Sequence, residues 1–257
     1  MCELFGFSSA IPENITPYLN EFFSHSLRHP HGWGLALEHE GHLQIEKEPV
    51  RASNSLYLRR LLLGQVETMT ALAHIRYATV GNVAWKNCHP YSARDLSGRR
   101  WTLIHNGTIF DFPPMNPFYA RTDSDTDSAC LLSYLLDHLG RAERAQDAPL
   151  APAQRFSLLD RLITELAPGN KVNLMLYDGE LLYVHTNYRD TLYQHRTPGG
   201  VLFSTQPLSP EAWEPVPFTQ LLAYRDGALA FSGTCHGSAY QEDPEQLRLL
   251  YLACAEL

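Results

Sequence analysis

Two stretches, NLMLYDGELLYVH (173–185) and LLAYRDGALAFSG (221–233), constrain the fold of this 257-residue chain most strongly. Each sets two short apolar runs on either side of Asp-Gly. That dipeptide tolerates the left-handed backbone of a two-residue turn, so each stretch predicts an antiparallel hairpin, turning at Asp178-Gly179 and at Asp226-Gly227. ALAHIRYATVG (71–81), RWTLIHNG (100–107) and GGVLFSTQPL (199–208) read as further strands bounded by turn residues.

Helices are fewer. SDTDSACLLSYLLDHLG (124–140) opens on Ser124 with Asp127 three residues on, which resembles a capping box. It sets Ala129, Leu132, Leu135, Leu136 and Leu139 on one stripe and stops at Gly140. The spans 53–63, 154–166 and 245–254 are further candidates, and RAERAQDAPLAPA (141–153) reads as a surface loop within one domain. Many strands with intermittent helices predict an α+β fold in which helices are layered on antiparallel sheets.

Charge narrows the partners. The net charge is −8 and no run of Lys and Arg occurs, which disfavours nucleic acid and anionic membrane surfaces, since both require clustered cations. No signal peptide precedes the first strand, and no apolar run approaches the roughly 18–20 residues of a membrane span. The five cysteines, Cys2, Cys88, Cys130, Cys235 and Cys254, are odd in number and widely spaced, without a CxxC, so neither a disulfide framework nor a thiolate zinc site is expected. A reducing, cytoplasmic compartment follows. His25, His29 and His31 lie in a Pro- and Gly-containing stretch that suits a solvated turn or a pocket rim better than a metal site, and no metal is expected. His74, His89 and His105 read as structural, hydrogen-bonded histidines, and Trp33 as a core anchor or a lid.

The chain begins MCELFGF. Removal of Met1 would leave Cys2 with both a thiol and a free α-amine. A thiol with an ordinary pKa near 8.5 needs a base, and an α-amine with a pKa of about 7.7–8.0 is one. IHNG (104–107) offers the Asn106 carboxamide and the Gly107 N–H as oxyanion donors. HIRYAT (74–79) sets Arg76 at a strand end, where a guanidinium can clamp a carboxylate. TDSDTD (122–127) supplies acids, one of which can hold an ammonium. Each feature alone has a plainer reading: a hairpin turn for HNG, a surface ion pair for Arg76, helix-terminus electrostatics for the acids, an incidental terminal residue for Cys2.

Taken in order, MCELFGF, HGWG (31–34), HIRYATVG (74–81), NCHPY (87–91), IHNG (104–107) and SDTD (124–127) resemble the class II glutamine amidotransferases, N-terminal-nucleophile hydrolases, and among them the YafJ-like stand-alone subgroup. The resemblance covers residues 1 to about 140. It implies a four-layer αββα sandwich over a single domain, 1–257. It further implies Cys2 as nucleophile with its own α-amine as base, Asn106 and Gly107 as the oxyanion hole, and Arg76, Tyr77, Thr79 and Asp125 as the glutamine-binding residues. No cofactor is implied. HGWG stands where many members carry an acidic D-S-x-G, and Val80 where synthase-linked members often have His. The expected activity is hydrolysis of the glutamine side-chain amide through a γ-glutamyl thioester. Its alternatives are hydrolysis of a larger γ-glutamyl amide or peptide, or a non-catalytic glutamine-binding module. A separate synthase subunit as ammonia acceptor is the one macromolecular partner considered.

Overall fold

The computed structural model describes residues 2–39, 41–79 and 81–245. Met1, Val80, Cys254 and all but the first residue of the helix expected over 245–254 lie outside the described residues. In chain order the elements are β1 (Glu3–Asn14), α1 (Thr16–Ser24), β2 (Trp33–His39), β3 (His42–Glu48), α2 (Leu56–Leu62), β4 (Glu67–Ile75), β5 (Tyr91–Arg94), β6 (Arg100–His105), α3 (Asp127–Gln146) and α4 (Pro152–Leu166). After these come β7 (Leu174–Tyr177), β8 (Leu182–His185), β9 (Tyr193–Arg196), β10 (Gly200–Ser204), β11 (Glu214–Pro215), β12 (Leu222–Arg225) and β13 (Ala228–Ser232). One sheet runs β11-β9-β10-β1-β4-β2-β3 and the other β13-β12-β8-β7-β6-β5. The neighbours pair antiparallel.

Strand alternation builds the layers. In β1, Leu4 faces the other sheet and packs with Leu72, Ile104 and Met175 in the inter-sheet core, while Phe5 and Phe7 face outward onto α1 and α2. In β6 and β7, Ile104 and Met175 enter the inter-sheet core, and Leu103, Leu174 and Leu176 turn outward to α3 and α4. Strands buried on both faces read as nearly continuous apolar runs, which is why ELFGF and NLMLY lack the polar alternation of a half-exposed strand. The three apolar clusters are the three interfaces of an αββα sandwich, as expected. No helix among the described residues is long and apolar enough to cross a membrane.

Local expectations hold in part. The β12–β13 turn is the two-residue type, with Asp226 and Gly227 at φ 49 and 74. The β7–β8 hairpin differs. Tyr177 pairs with Leu182, and the turn centres on Gly179-Glu180. Asp178 does not enter the left-handed region. Its carboxylate accepts from the Glu180 and Leu181 N–H groups and from Arg155 Nε and the Tyr183 hydroxyl (2.7–2.9 Å). The third helix is capped by Thr126, whose hydroxyl accepts from Ala129 N, rather than by Ser124, and it runs through Gly140 to Gln146. Residues 141–146 are therefore helix and not loop.

His74 departs from expectation more sharply: neither ring nitrogen has a hydrogen-bond partner. Its ring is fully buried and stacks on His89 at 4.1 Å, and His89 in turn packs on Tyr91. His89 and His105 do carry structural hydrogen bonds, His89 Nδ1 accepting from His105 N and His105 bonding Ser128 and the Lys171 carbonyl. Burial lowers the pKa of His74, His89 and His105 and takes His185 down to about 3. His25 moves the other way, raised chiefly by its hydrogen bond to Glu3.

The sign of the pH dependence follows. Below about pH 6.5 the unfolded chain protonates these four histidines more readily than the folded chain does, so stability falls as pH falls, by up to about 1.4 kcal/mol per pH unit for each. His25 contributes in the opposite sense, its stabilisation being present at low pH and lost as pH rises through its raised folded value. Urea unfolding at pH 7.5 and 5.5 should therefore show a marked loss at the lower pH, and a flat profile would contradict the burial of the histidine stack.

Candidate active site

Cys2 immediately precedes β1, a strand hydrogen-bonded on both edges, to β4 and to β10. Register fixes its surroundings: Glu3 pairs with Ile75, so Cys2 meets the chain just beyond the end of β4. There the Tyr77 N–H donates to Cys2 Sγ at 3.3 Å, and Sγ lies 3.4 Å from the Tyr77 carbonyl. Burial pushes the Cys2 thiol above its usual value, and the Tyr77 N–H and the positive charges of Arg76 and Lys171 pull it back in part.

Arg76 is almost fully buried, and its guanidinium donates to the carbonyls of Asn82 and Gly81 at 2.9 and 3.0 Å. Asn87 continues the network. Its Nδ2 donates to the Asn82 carbonyl and to Asp125 Oδ2 (3.0 and 3.2 Å), and its Oδ1 accepts from the Asp125 N–H. Lys86 reaches Asp125 Oδ1 at 2.9 Å, and these two donors lower the pKa of Asp125. Ser124 also donates to Asn87 Oδ1, which explains its displacement from the helix cap. Arg76 and Asp125 thus meet the same segment, 81–87. Tyr77 is half-buried with its ring against His31, and Thr79 is half-buried in the same loop.

Asn106 and Gly107 follow β6. Asn106 is buried, and its N–H donates to the Asn173 carbonyl at 2.8 Å. Gly107 is required by a close approach, because a Cβ there would run into the Lys171 carbonyl and the His105 ring. Gly34 is required likewise by the carbonyl of His89. That contact lets the HGWG strand pack on the NCHPY loop, and Trp33 is a core residue whose Nε1 donates to Glu48.

Two features were missed from sequence. Lys171 is buried, its ammonium sits 4.7 Å from the centre of the Tyr188 ring, and burial lowers its pKa to about 8. Its backbone bridges to Thr108, which ties the Asn106–Gly107 turn to a positive charge that acts on Cys2. The signal available was a lone lysine in the otherwise uncharged run GNKVNLMLY. The second is behind Cys2, where buried Glu3 accepts from Gln206 and lies 2.8 Å from His25 and 3.7 Å from His29. His29 is buried and His31 Nδ1 accepts from Ala78 N, so this stretch is packed against the site rather than a solvated turn. No group of three or more metal-ligating side chains occurs among the described residues.

The αββα sandwich is of the N-terminal-nucleophile hydrolase fold type. The crystal structures of a predicted glutamine amidotransferase from Pseudomonas aeruginosa (TM-score 0.64, 23% identity, 90% of this chain and 100% of that one) and of the glutamine phosphoribosylpyrophosphate amidotransferase of Bacillus subtilis (0.63, 14%, 91% and 49%) share this fold. The family model for class-II glutamine amidotransferases matches residues 1–200, and the chain belongs to that family. Among relatives, the Escherichia coli protein YafJ is 28% identical over 204 residues, covering 78% of this chain and 79% of that one.

Two substitutions probe the geometry. Gly107→Ala should cost about 1–3 kcal/mol by overpacking against backbone that cannot yield, read as a shift in the denaturation midpoint. Lys171→Met should slow the reaction of Cys2 with iodoacetamide at pH 7, by up to about tenfold, because a nearby cation favours the small thiolate fraction. The difference should shrink above about pH 8, where Lys171 loses its proton.

Proposed function

We propose that this chain hydrolyses the side-chain amide of glutamine. The observation that carries the reading is the position of Cys2, with its sulfur bonded to the backbone of Tyr77 directly after the buried Arg76. Once Met1 is removed, the α-amine of Cys2 takes the thiol proton and the thiolate attacks the side-chain carbonyl carbon. The Asn106 carboxamide and the Gly107 N–H stabilise the oxyanion. Collapse breaks the C–N bond, the protonated α-amine gives its proton to the leaving nitrogen, and ammonia departs from a γ-glutamyl thioester. Water then attacks the thioester, with the α-amine again as base, to release glutamate and the thiol.

Arg76 binds the substrate α-carboxylate and Asp125 the α-ammonium, with Tyr77 and Thr79 lining the pocket. To do so, Arg76 and Asp125 exchange their bonds to segment 81–87 for bonds to substrate. The reading takes 1–257 as one domain, cytoplasmic and without a cofactor or metal, with free ammonia or a separate synthase subunit downstream. A larger γ-glutamyl amide is the second reading. It is favoured by Val83 and Trp85, 52% and 61% exposed on the same segment, which offer apolar surface beside the glutamyl-binding groups.

The test uses protein from its own host with Met1 removal established by intact mass. A glutamine-analogue diazoketone should label Cys2, glutamine should protect, and Cys2→Ala should abolish labelling. Arg76→Ala should weaken protection about a hundredfold by removing a charge-assisted clamp. Met1-free protein that remains unlabelled at Cys2 would overturn the proposal.

A further inference from the structure

At the opposite end of β6 from Asn106, the two sheets part at their β3 and β5 edges and leave a cavity of about 610 Å³. Arg100 and His105 are the first and last residues of β6, roughly 17 Å apart at about 3.3 Å per residue. The cavity is therefore separate from the candidate active site. Its floor is the edge of the inter-sheet layer, buried Leu43 and Thr102 with half-buried Tyr177, and the exposed Arg94, Arg100 and His42 also line it.

The arginines are placed in a way that folding alone does not favour. Arg94 and Arg100 stand directly opposite each other on paired strands, and like charges in that position repel. Arg94 donates to the Gly98 carbonyl within its own turn, and neither arginine forms an ion pair among the described residues, although the chain carries more acids than bases. The acids nearby are already engaged. Asp95 accepts from Ser97, Arg99 and Trp101, Asp178 accepts from Arg155 and Tyr183, and Glu180 pairs with Arg155 and Arg225. Arg99, also on the lining, is drawn toward Asp178 and Glu180 at about 4 Å. The result is a concave site with a largely apolar floor and two solvent-facing guanidinium groups on one face that lack a carboxylate partner among the described residues, a chemistry that matches a doubly charged oxyanion held by two forks.

We infer that this cavity binds a small phosphate-bearing anion, with Arg94 and Arg100 as its principal ligands. A phosphoryl or pyrophosphoryl group between the two arginines removes their mutual repulsion and accepts from both, and the apolar floor takes the uncharged remainder of the molecule. The site is independent of the amide-hydrolysis reading and holds whether or not Cys2 is the nucleophile.

Isothermal titration of the full chain with inorganic phosphate and with pyrophosphate, at an ionic strength held constant with sodium chloride, tests it. Saturable binding is expected, tighter for pyrophosphate, and weakened tenfold or more by Arg100→Gln and by Arg94→Gln. Arg60→Gln, on the exposed face of α2, should leave the affinity unchanged. Without ligand the Arg94 and Arg100 variants should melt at the same temperature as the parent or higher, since each relieves a repulsion. Absence of saturable binding overturns the inference. An equal loss in Arg60→Gln overturns it too, because binding would then follow net charge and not this cavity.

Discussion

Strand β1 is the member on which the rest of the molecule depends. It is paired along both edges and buried on both faces, Leu4 in one core and Phe5 and Phe7 in another. Fully burying a large apolar side chain stabilises by about 1.5–3 kcal/mol, so a few residues of this strand anchor the inter-sheet and outer layers together. A residue at the start of such a strand inherits its rigidity. Cys2 is thereby held at a defined point against the end of β4, although it is next to a chain terminus, a place where polypeptides ordinarily fray.

The surrounding polar groups extend that rigidity by two routes. Arg76, Asn82, Asn87 and Asp125 form one continuous set of hydrogen bonds, and Lys47 fastens the adjoining loop by donating to the carbonyls of Cys88 and Pro90. On the other side, the buried amides of Asn170, Asn173 and Asn187 bond the backbone of the segments that carry Phe110, Val172 and Tyr188. Buried amides that satisfy backbone groups in this way fix loops that have no sheet ladder to hold them. The Asn106–Gly107 turn is caught between these two systems.

This division marks what the sequence makes legible. Periodicity and turn chemistry are local, so the β12–β13 hairpin, the strand ending in HNG and the αββα layering could be read directly or through resemblance. The turn at Asp178 could not, because its carboxylate is occupied by Arg155, 23 residues away in sequence, and by Tyr183. The cap of α3 moved by two residues for the same reason: Ser124 and Thr126 are both good caps in isolation, and a tertiary bond from Ser124 to Asn87 decides between them. Lys171 and the Glu3–His25–His29 cluster are assembled only when distant strands meet, and no spacing rule announces them. The unpartnered ring of His74 is likewise a consequence of stacking in a closed layer, which neither composition nor period records.

Charge placement links these observations. An acidic chain nonetheless buries Arg76 and Lys171 beside Cys2 and half-buries Lys47 beneath the adjoining loop, and the pKa of both lysines is lowered to about 8 by desolvation. Burying a cation costs free energy unless an anion or dipoles compensate. Arg76 is compensated by loop carbonyls and Lys47 by two more, arrangements that are exchangeable because carbonyl dipoles hold a guanidinium or an ammonium less tightly than a carboxylate does. Beside Cys2 the effect is partial: burial raises the thiol, and the charges of Arg76 and Lys171 draw it part of the way back toward the thiolate.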